Sequence, residues 1–417
     1  MSGNLQPMAV SRRPLGDYAP ACGDEALERL RAAAAPLEGI HVAHVSGAGG
    51  RGRVPELLSA GLPLAAELGL AVRWLVLFGG PELEPVSRAL RDGLQGAETV
   101  IEDAAFEAYR ASCEAAAGRL PADLDLVVLH DPGALGLAEH LEAPTLWRCH
   151  LDASEPDAAA LDPVVPLAER CRALAFPLAG FAPAALRGRP LHELAPGIDP
   201  LGPRNLELAP GLAGRVVRPL GIDLSRPFVC QLMRLDRWKD PHATVEAFAA
   251  AREELPGLQL VIAVGLDPAD PHAWSALREL TDYAGERPDV HVLTSYAGVG
   301  DVELCALQRL ARVSVQLSIR EGFGLAASEA LWKTTPVVGG RQGGLPLQVR
   351  DRRDGYLVET PEQAATRIVE LVRDPGLGVE MGRSGRERVR ERFLLTRALE
   401  DEVRALAAVA GATVDAP

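Results

Sequence analysis

The chain has 417 residues, 47% hydrophobic and 24% charged, which is enough apolar material for the cores of two domains of ordinary size. Its formal net charge of −14 argues against nucleic acid and anionic membranes as partners, and no uninterrupted apolar run reaches transmembrane length. The six cysteines (22, 113, 149, 171, 230 and 305) form no C-x-x-C pair and the N-terminus lacks a signal-peptide core, so the expectation is reduced, mostly buried thiols in a cytoplasmic protein without a zinc site.

Taken in chain order, short runs that are apolar throughout alternate with longer helical patterns. Strands are predicted at 40–45, 71–78, 124–130 and 145–151, then at 226–233, 258–265, 290–294, 312–318 and 335–340. Helices are predicted between them, as at 241–255 and 300–311, and over the final segments EMGRSGRERVRERF and TRALEDEVRALAAVAG. Strands without a polar face are buried on both sides, so the fold class is α/β, with two doubly wound parallel sheets carrying helices on each face. The rhythm breaks at 196–226, where Pro and Gly accumulate, and this stretch reads as the crossing between two domains. Ligands of such sheets sit beyond the carboxyl ends of strands, so the residues just after strands are the candidates.

The first candidate is VSGAGGRGRVPEL (45–57), a glycine-rich loop that fits neither the dinucleotide nor the triphosphate fingerprint; it is a phosphate cradle or only a tight turn before a helix. In VVLHDPGAL (127–135) His130 ends a strand, and LWRCHLD (146–152) adds Arg148, His150 and Asp152 on the same rim, a set suited to the hydroxyls of an acceptor sugar. A buried, satisfied histidine is the plain alternative for His130. In LMRLDRWKD (232–240) Arg234 and Lys239 flank a turn, where a planar fork and a point charge can hold one diphosphate between them, unless this is a solvated basic loop. In SIREGFGLAASEALW (318–332) Gly322 and Gly324 let the backbone approach a ligand, and the start of the following helix offers unpaired N–H groups. Glu321 precedes that helix and Glu329 lies about two turns into it. Each carboxylate accepts two hydroxyl donors, which suits a ligand with sugars at both ends of a diphosphate; a cap and a solvated helix position are the alternatives. GGRQGGLPLQV (339–349) suggests another close backbone approach to the ligand.

Together these stretches resemble the retaining nucleotide-sugar glycosyltransferases of the GT-B fold, and within them the trehalose synthases that transfer glucose from a nucleoside diphosphate onto free glucose. SIREGFGLAASEALWKTTPVVGG resembles that family's E-x7-E element, LMRLDRWKD its diphosphate clamp and VVLHDP its catalytic-histidine strand, while LWRCHLD and PGIDPLGPRN are similar to trehalose-synthase segments. The resemblance implies two Rossmann-like domains facing a central cleft: an acceptor domain at 1–217, a donor domain at 218–395, and a C-terminal helix at 396–417 crossing back to the first. It implies catalytic roles for His130, Arg234, Lys239 and Glu321. Donor binding falls to Gly50, Arg234, Lys239, Glu321, Gly322, Phe323, Gly324, Leu325 and Glu329, and acceptor binding to Arg51, Asp131, Arg148, His150 and Asp152. No cofactor is required; Mg²⁺ is at most an assisting ion, and no residue is assigned to a metal. The partners are a nucleoside diphosphate sugar and a sugar acceptor, with the oligomeric state open between monomer and homodimer.

Two departures bear on the acceptor. Where those synthases run Gly-Gly-Gly-Val-Ala-Glu, this chain has GGRGRVPE, and after His-Asp-Pro it carries Gly133-Ala134 in place of Gln-Pro. A different acceptor, a polyol or a specialised metabolite, and a phosphorylase using inorganic phosphate are the alternatives these departures leave open.

Overall fold

A computed structural model of the chain describes residues 4–47, 53–78, 83–235, 238–266, 271–285, 287 and 289–412. The chain divides into two compact units, Met1–Gly197 with Leu395–Pro417, and Ile198–Leu394.

The first unit is built on a seven-stranded sheet of β1 (Asn4–Met8), β2 (His41–Gly47), β3 (Ala71–Phe78), β4 (Leu126–His130), β5 (Thr145–Arg148), β6 (Ala173–Phe176) and β7 (Leu191–Glu193), in the order β1-β3-β2-β4-β5-β6-β7. All neighbours pair in parallel except β1, which runs antiparallel along β3. The expectation of purely parallel sheets is corrected at this edge. NLQPM has no apolar run to announce a strand, and Pro7 is tolerated because an edge strand has a side where no N–H is needed.

Side chains alternate between the two faces of each strand. Ala43, Val45, Val127, Leu129 and Trp147 enter one core, which includes residues of the helices Leu83–Leu94, Asp103–Ala117 and Ala158–Glu169. Val42, Leu126, Val128 and Leu146 enter the other, with the helices Asp24–Ala34 and Leu395–Ala410. The C-terminal helix thus belongs to the first unit. Its stripe of Leu395, Leu399, Val403 and Leu406 is buried there, and each such side chain stabilises the packing by about 1.5–3 kcal/mol.

The second unit carries a six-stranded, all-parallel sheet of β8 (Phe228–Arg234), β9 (Gln259–Gly265), β10 (Val290–Thr294), β11 (Val313–Gln316), β12 (Val337–Gly340) and β13 (Gly355–Val358), ordered β10-β9-β8-β11-β12-β13. The division between units falls at Gly197/Ile198, not at 217/218. The Pro/Gly-rich stretch is not a linker: Leu208, Ala213 and Val217 share a core with Phe228, Cys230 and Leu232, and helix Pro210–Val217 lies on helix Asp301–Leu310. All six cysteines are free thiols, five of them buried. Among the described residues no helix is long and apolar enough to cross a membrane.

Both sheets reverse direction. In the second, the chain steps from β8 out to β9 and β10, then returns to β8's other side for β11 and steps outward again. In the first, the same reversal separates β2 from β4. At such a point the loops after two adjacent strands part and leave a crevice at their carboxyl ends.

Candidate active site

The two acidic and basic motifs of the second unit follow the two strands that flank its reversal. LMRLDRWKD leaves β8, with Arg234 as its exposed last residue, and SIREGF follows β11. Backbone bonds join the two loops. Ile319 N donates to Trp238 O at 2.9 Å, and Lys239 and Ser318 form an antiparallel bridge. This pairing brings the Lys239 ammonium onto the Glu321 carboxylate, which also accepts from Ser318 Oγ at 3.2 Å. Groups expected to reach different parts of a donor are therefore bonded to each other.

The helix Leu325–Trp332 begins at Gly324, whose φ of +80° is the left-handed conformation that glycine adopts without strain. A Cβ there would lie 3.1 Å from Glu321 Cγ. Phe323 is buried, its ring edge-on to Phe393 with centroids 5.6 Å apart. The GGRQGG segment does make a close backbone approach, but to this loop: Gly344 N donates to Gly322 O at 2.8 Å, and a Cβ on Gly343 would sit 1.7 Å from Glu321 O. Buried Gln348 completes the clamp, donating to Phe323 O and accepting from Ser328 N at 3.1 Å and Ser328 Oγ at 2.6 Å.

Glu329 is buried, with Arg204 Nη1 3.9 Å from its Oε1. Beneath it lies Lys333, 1% exposed, which donates to Glu329 O at 2.9 Å, Asn205 Oδ1 at 2.9 Å and Gln308 Oε1 at 3.1 Å. Burial pulls the Lys333 ammonium down to about 8. The Lys333–Asn205 bond anchors the turn Pro203–Asn205 and so carries Arg204 to Glu329.

In the first unit, His130 ends β4 with its ring 1% exposed. His44 Nδ1 lies 3.1 Å from His130 Nε2, and His130 Nδ1 lies 3.1 Å from His150 Nε2, so three imidazoles stand in line. His150 is the partly exposed end of that line. Asp131 turns the chain with φ +55°, a conformation costly for most side chains and less so for Asp, and its Oδ1 accepts from His150 N at 2.9 Å. Arg148 is buried, its Nη1 2.5 Å from Glu402 Oε1 on the C-terminal helix. Asp152 accepts from Ser154 N at 3.1 Å and Ser154 Oγ at 2.7 Å, closing a turn. Of the expected acceptor residues, Asp131, Arg148 and Asp152 thus have partners within the first unit, while Arg51 lies outside the described residues, as does Gly50, expected at the donor. At Gly133, one of the departures noted above, a Cβ would stand 3.1 Å from Ser87 Oγ, leaving little room for a longer side chain in that direction. Among the described residues no group of three or more His, Cys, Asp and Glu is arranged as a metal site.

Comparison with known proteins adds the family. Residues 44–183 match the model "Trehalose synthase, N-terminal domain" and residues 215–388 match "Glycosyl transferases group 1". A trehalose synthase of Rubrobacter xylanophilus is 36% identical over 98% of this chain and 100% of its own length, and one of Pyrococcus horikoshii is 32% identical over 96% and 97%. The chain belongs to the trehalose synthase family of glycosyltransferases. Solved structures share its GT-B fold: a UDP-forming α,α-trehalose-phosphate synthase from Burkholderia xenovorans superposes with a TM-score of 0.70 at 13% identity, covering 90% of this chain and 100% of the other. A sucrose-phosphate synthase from Thermosynechococcus elongatus does so with a TM-score of 0.68 at 19% identity, covering 90% and 100%.

For this family member, sequence reasoning missed His44, Gln348 and Glu402. His44 lies within a strand run that is apolar on both sides of it, which hid it. Gln348 was visible only as part of a glycine-rich segment. Glu402 carried a signal: it falls on the buried stripe of Leu395, Ala398, Leu399, Val403 and Leu406, a carboxylate where the helical period calls for an apolar residue.

The imidazole line has a consequence for stability. Burial holds all three rings neutral, helped at His130 and His150 by neighbouring positive charge and opposed at His44 by Glu402: His44 is pulled down to about 4, and His130 and His150 well below their usual range. An unfolded histidine titrates near 6.5. Below that pH the unfolded chain takes up protons that the folded unit refuses. Stability is therefore full above about pH 6.5 and is lost progressively as pH falls toward 4. By pH 5.5 each ring costs roughly 1.4 kcal/mol. The Tm of the first unit is expected to fall between pH 7.5 and 5.5; a flat Tm across that range contradicts neutral burial of these rings.

Proposed function

We propose that the chain is a retaining glucosyltransferase that moves glucose from a nucleoside diphosphate glucose to free glucose and so makes trehalose, acting in the cytoplasm without a membrane or nucleic-acid partner. The observation that carries this reading is the meeting of Lys239 and Glu321 where the strand order reverses, in a chain similar over 98% of its length to a trehalose synthase.

In this reading Arg234 and Lys239 hold the donor diphosphate, Glu321 takes hydroxyls of the donor sugar, and Glu329 takes the ribose. Gly322, Phe323, Gly324 and Leu325 present backbone to the donor at the start of a helix. His130 serves the reacting end of the donor sugar, and His150, the partly exposed end of its line, faces the acceptor. As the bond to the anomeric carbon breaks, negative charge grows on the leaving diphosphate and positive charge on the sugar ring. Fixed cations and helix-start N–H groups stabilise the first without reorganising. The acceptor oxygen enters on the face the diphosphate leaves, and the departing phosphate takes the acceptor's proton, so the anomeric configuration is kept and no separate protein base is needed.

Incubating the chain with UDP-, ADP- and GDP-glucose in turn, each with free glucose, tests this reading. Release of a nucleoside diphosphate together with an α,α-linked disaccharide by NMR is expected for at least one donor. Nucleotide release with only a polyol or another acceptor glucosylated would move the assignment to that acceptor. Phosphate-dependent cleavage of trehalose with no nucleotide-driven transfer would refute it.

A further inference from the structure

One face of the first sheet changes character along its strands. Val42, Leu126, Val128 and Leu146 enter the core shared with the C-terminal helix. Two residues further along, the same face of β2, β4 and β5 carries His44, His130 and Arg148, of which His130 and Arg148 are register partners. Helix Leu395–Ala410 lies over this polar end and brings Glu402 onto Arg148, with side chains 13% and 6% exposed. Arg148, Glu402 and the three histidines share the lining of a cavity of about 30 Å³, walled by apolar side chains such as Leu58, Leu62 and Leu399. The Nε of Arg148 is buried there without a hydrogen-bond partner among the described residues.

We propose that Glu402 is a positioning residue for His130: its carboxylate, delivered by the C-terminal helix, fixes which ring nitrogen of His130 carries the proton. The proposal rests on the reading above, that His130 takes part in transfer.

Each imidazole–imidazole contact holds one proton between two nitrogens, and three neutral rings satisfy both contacts in only two ways. In the first, His44 Nδ1–H donates to His130 Nε2, and His130 Nδ1–H donates to His150 Nε2. In the second, His150 Nε2–H donates to His130 Nδ1, His130 Nε2–H donates to His44 Nδ1, and the proton of His44 sits on its outer nitrogen. Glu402 and Arg148 act on His44 in opposite senses, with Glu402 the stronger, while Arg148 also faces His130 and His150. Glu402 lines the same cavity as His44, whose Nδ1 is taken up by His130; a carboxylate beside that ring draws its proton to the remaining nitrogen and selects the second arrangement, with His130 protonated on Nε2. Without that charge, the buried Arg148 guanidinium attracts a bare lone pair and favours the first. A carboxylate bonded to one ring nitrogen sets the tautomer of a functional histidine in many enzymes; here the influence is relayed through His44.

The test uses the full chain labelled with ¹⁵N-histidine, its nine histidines assigned by single replacement and their tautomers read by long-range ¹H–¹⁵N correlation. His130 is expected to be protonated on Nε2. In Glu402→Gln the proton is expected to move wholly or partly to Nδ1. The kcat should drop about tenfold to a hundredfold, the range seen when a group orienting a functional histidine is removed, with KM for both substrates held within about twofold. Glu402→Asp should recover part of kcat. Because Glu402→Gln leaves Arg148 buried and unpaired, Arg148→Met/Glu402→Leu serves as the stability control: replacing both members of a buried pair is often neutral. This double variant is expected to keep the wild-type Tm, show mixed tautomers and remain slow. Wild-type His130 protonated on Nδ1, an unchanged tautomer in Glu402→Gln, or wild-type kcat in the double variant would each overturn the proposal. Full turnover in His130→Ala would instead overturn the reading that His130 acts in transfer, and the spectra would still report the tautomer independently.

Discussion

Replacing Lys239 by alanine is expected to lower glucosyl transfer by about 10²–10³-fold, the usual cost of removing one preorganised group that faces charge developing in a transition state. Two loops hold Lys239 in place: the β8 loop that carries it and the β11 loop that pairs with it through Trp238 O and Ser318. The ammonium is therefore fixed before any substrate arrives, and its loss cannot be made good by a mobile neighbour. A stability cost accompanies the change, because Glu321 is buried and is left with Ser318 Oγ as its side-chain donor among the described residues. Breaking such a pair costs roughly 2–4 kcal/mol. Kinetics and thermal unfolding separate the two effects: the variant should unfold cooperatively at a reduced Tm and remain slow well below that Tm. Lys239→Arg keeps the charge and should recover part of the rate. Near-normal turnover in Lys239→Ala would refute the role.

Gly343→Ala should be nearly as damaging, although it adds one methyl group and removes no charged side chain. Gly343 has φ +56°, and its Cβ would lie 1.7 Å from Glu321 O and 2.6 Å from Gly322 O. Backbone, not a flexible side chain, must give way. The left-handed conformation costs alanine about 1–2 kcal/mol on its own, and the Glu321–Phe323 loop must move by an ångström or more. A displacement of that size at a reacting centre costs about 10²-fold in rate. Gly340→Ala in the same segment is the contrast, since the nearest atom to its Cβ would be 3.9 Å away. The pair measured side by side, by kcat and Tm, should give one inactive, destabilised variant and one close to wild type. Equal behaviour would mean that the close contact at Gly343 does not set the Glu321 loop.

The parallel sheets and the strands that carry the motifs were legible because a strand buried on both faces is apolar throughout, and runs such as VVLH and VSVQ stand out between amphipathic helices. The edge was not legible: β1 has one neighbour, holds a proline and carries no apolar run. The strands β6 (ALAF) and β7 (LHE) hold no β-branched residue, so pattern alone does not separate them from helix segments. Sequence spacing put Glu321 before a helix and Glu329 on it but said nothing of Lys239 bonding to Glu321, because that contact depends on β8 and β11 being neighbours. The same limit applies in the first unit. His130, Arg148 and His150 were legible as a rim, each ending or following a strand. Their use of His44 and Glu402 as partners was not, since β2 and the C-terminal helix reach them only through the fold.

The most direct test is a crystal structure of the chain with a nucleoside diphosphate bound. Arg234 and Lys239 are expected within hydrogen-bond distance of the pyrophosphate, Lys239 having exchanged Glu321 for phosphate oxygen, with Glu329 on the ribose hydroxyls. A diphosphate bound away from the carboxyl ends of β8 and β11, with Lys239 and Glu321 still bonded to each other, would contradict the account.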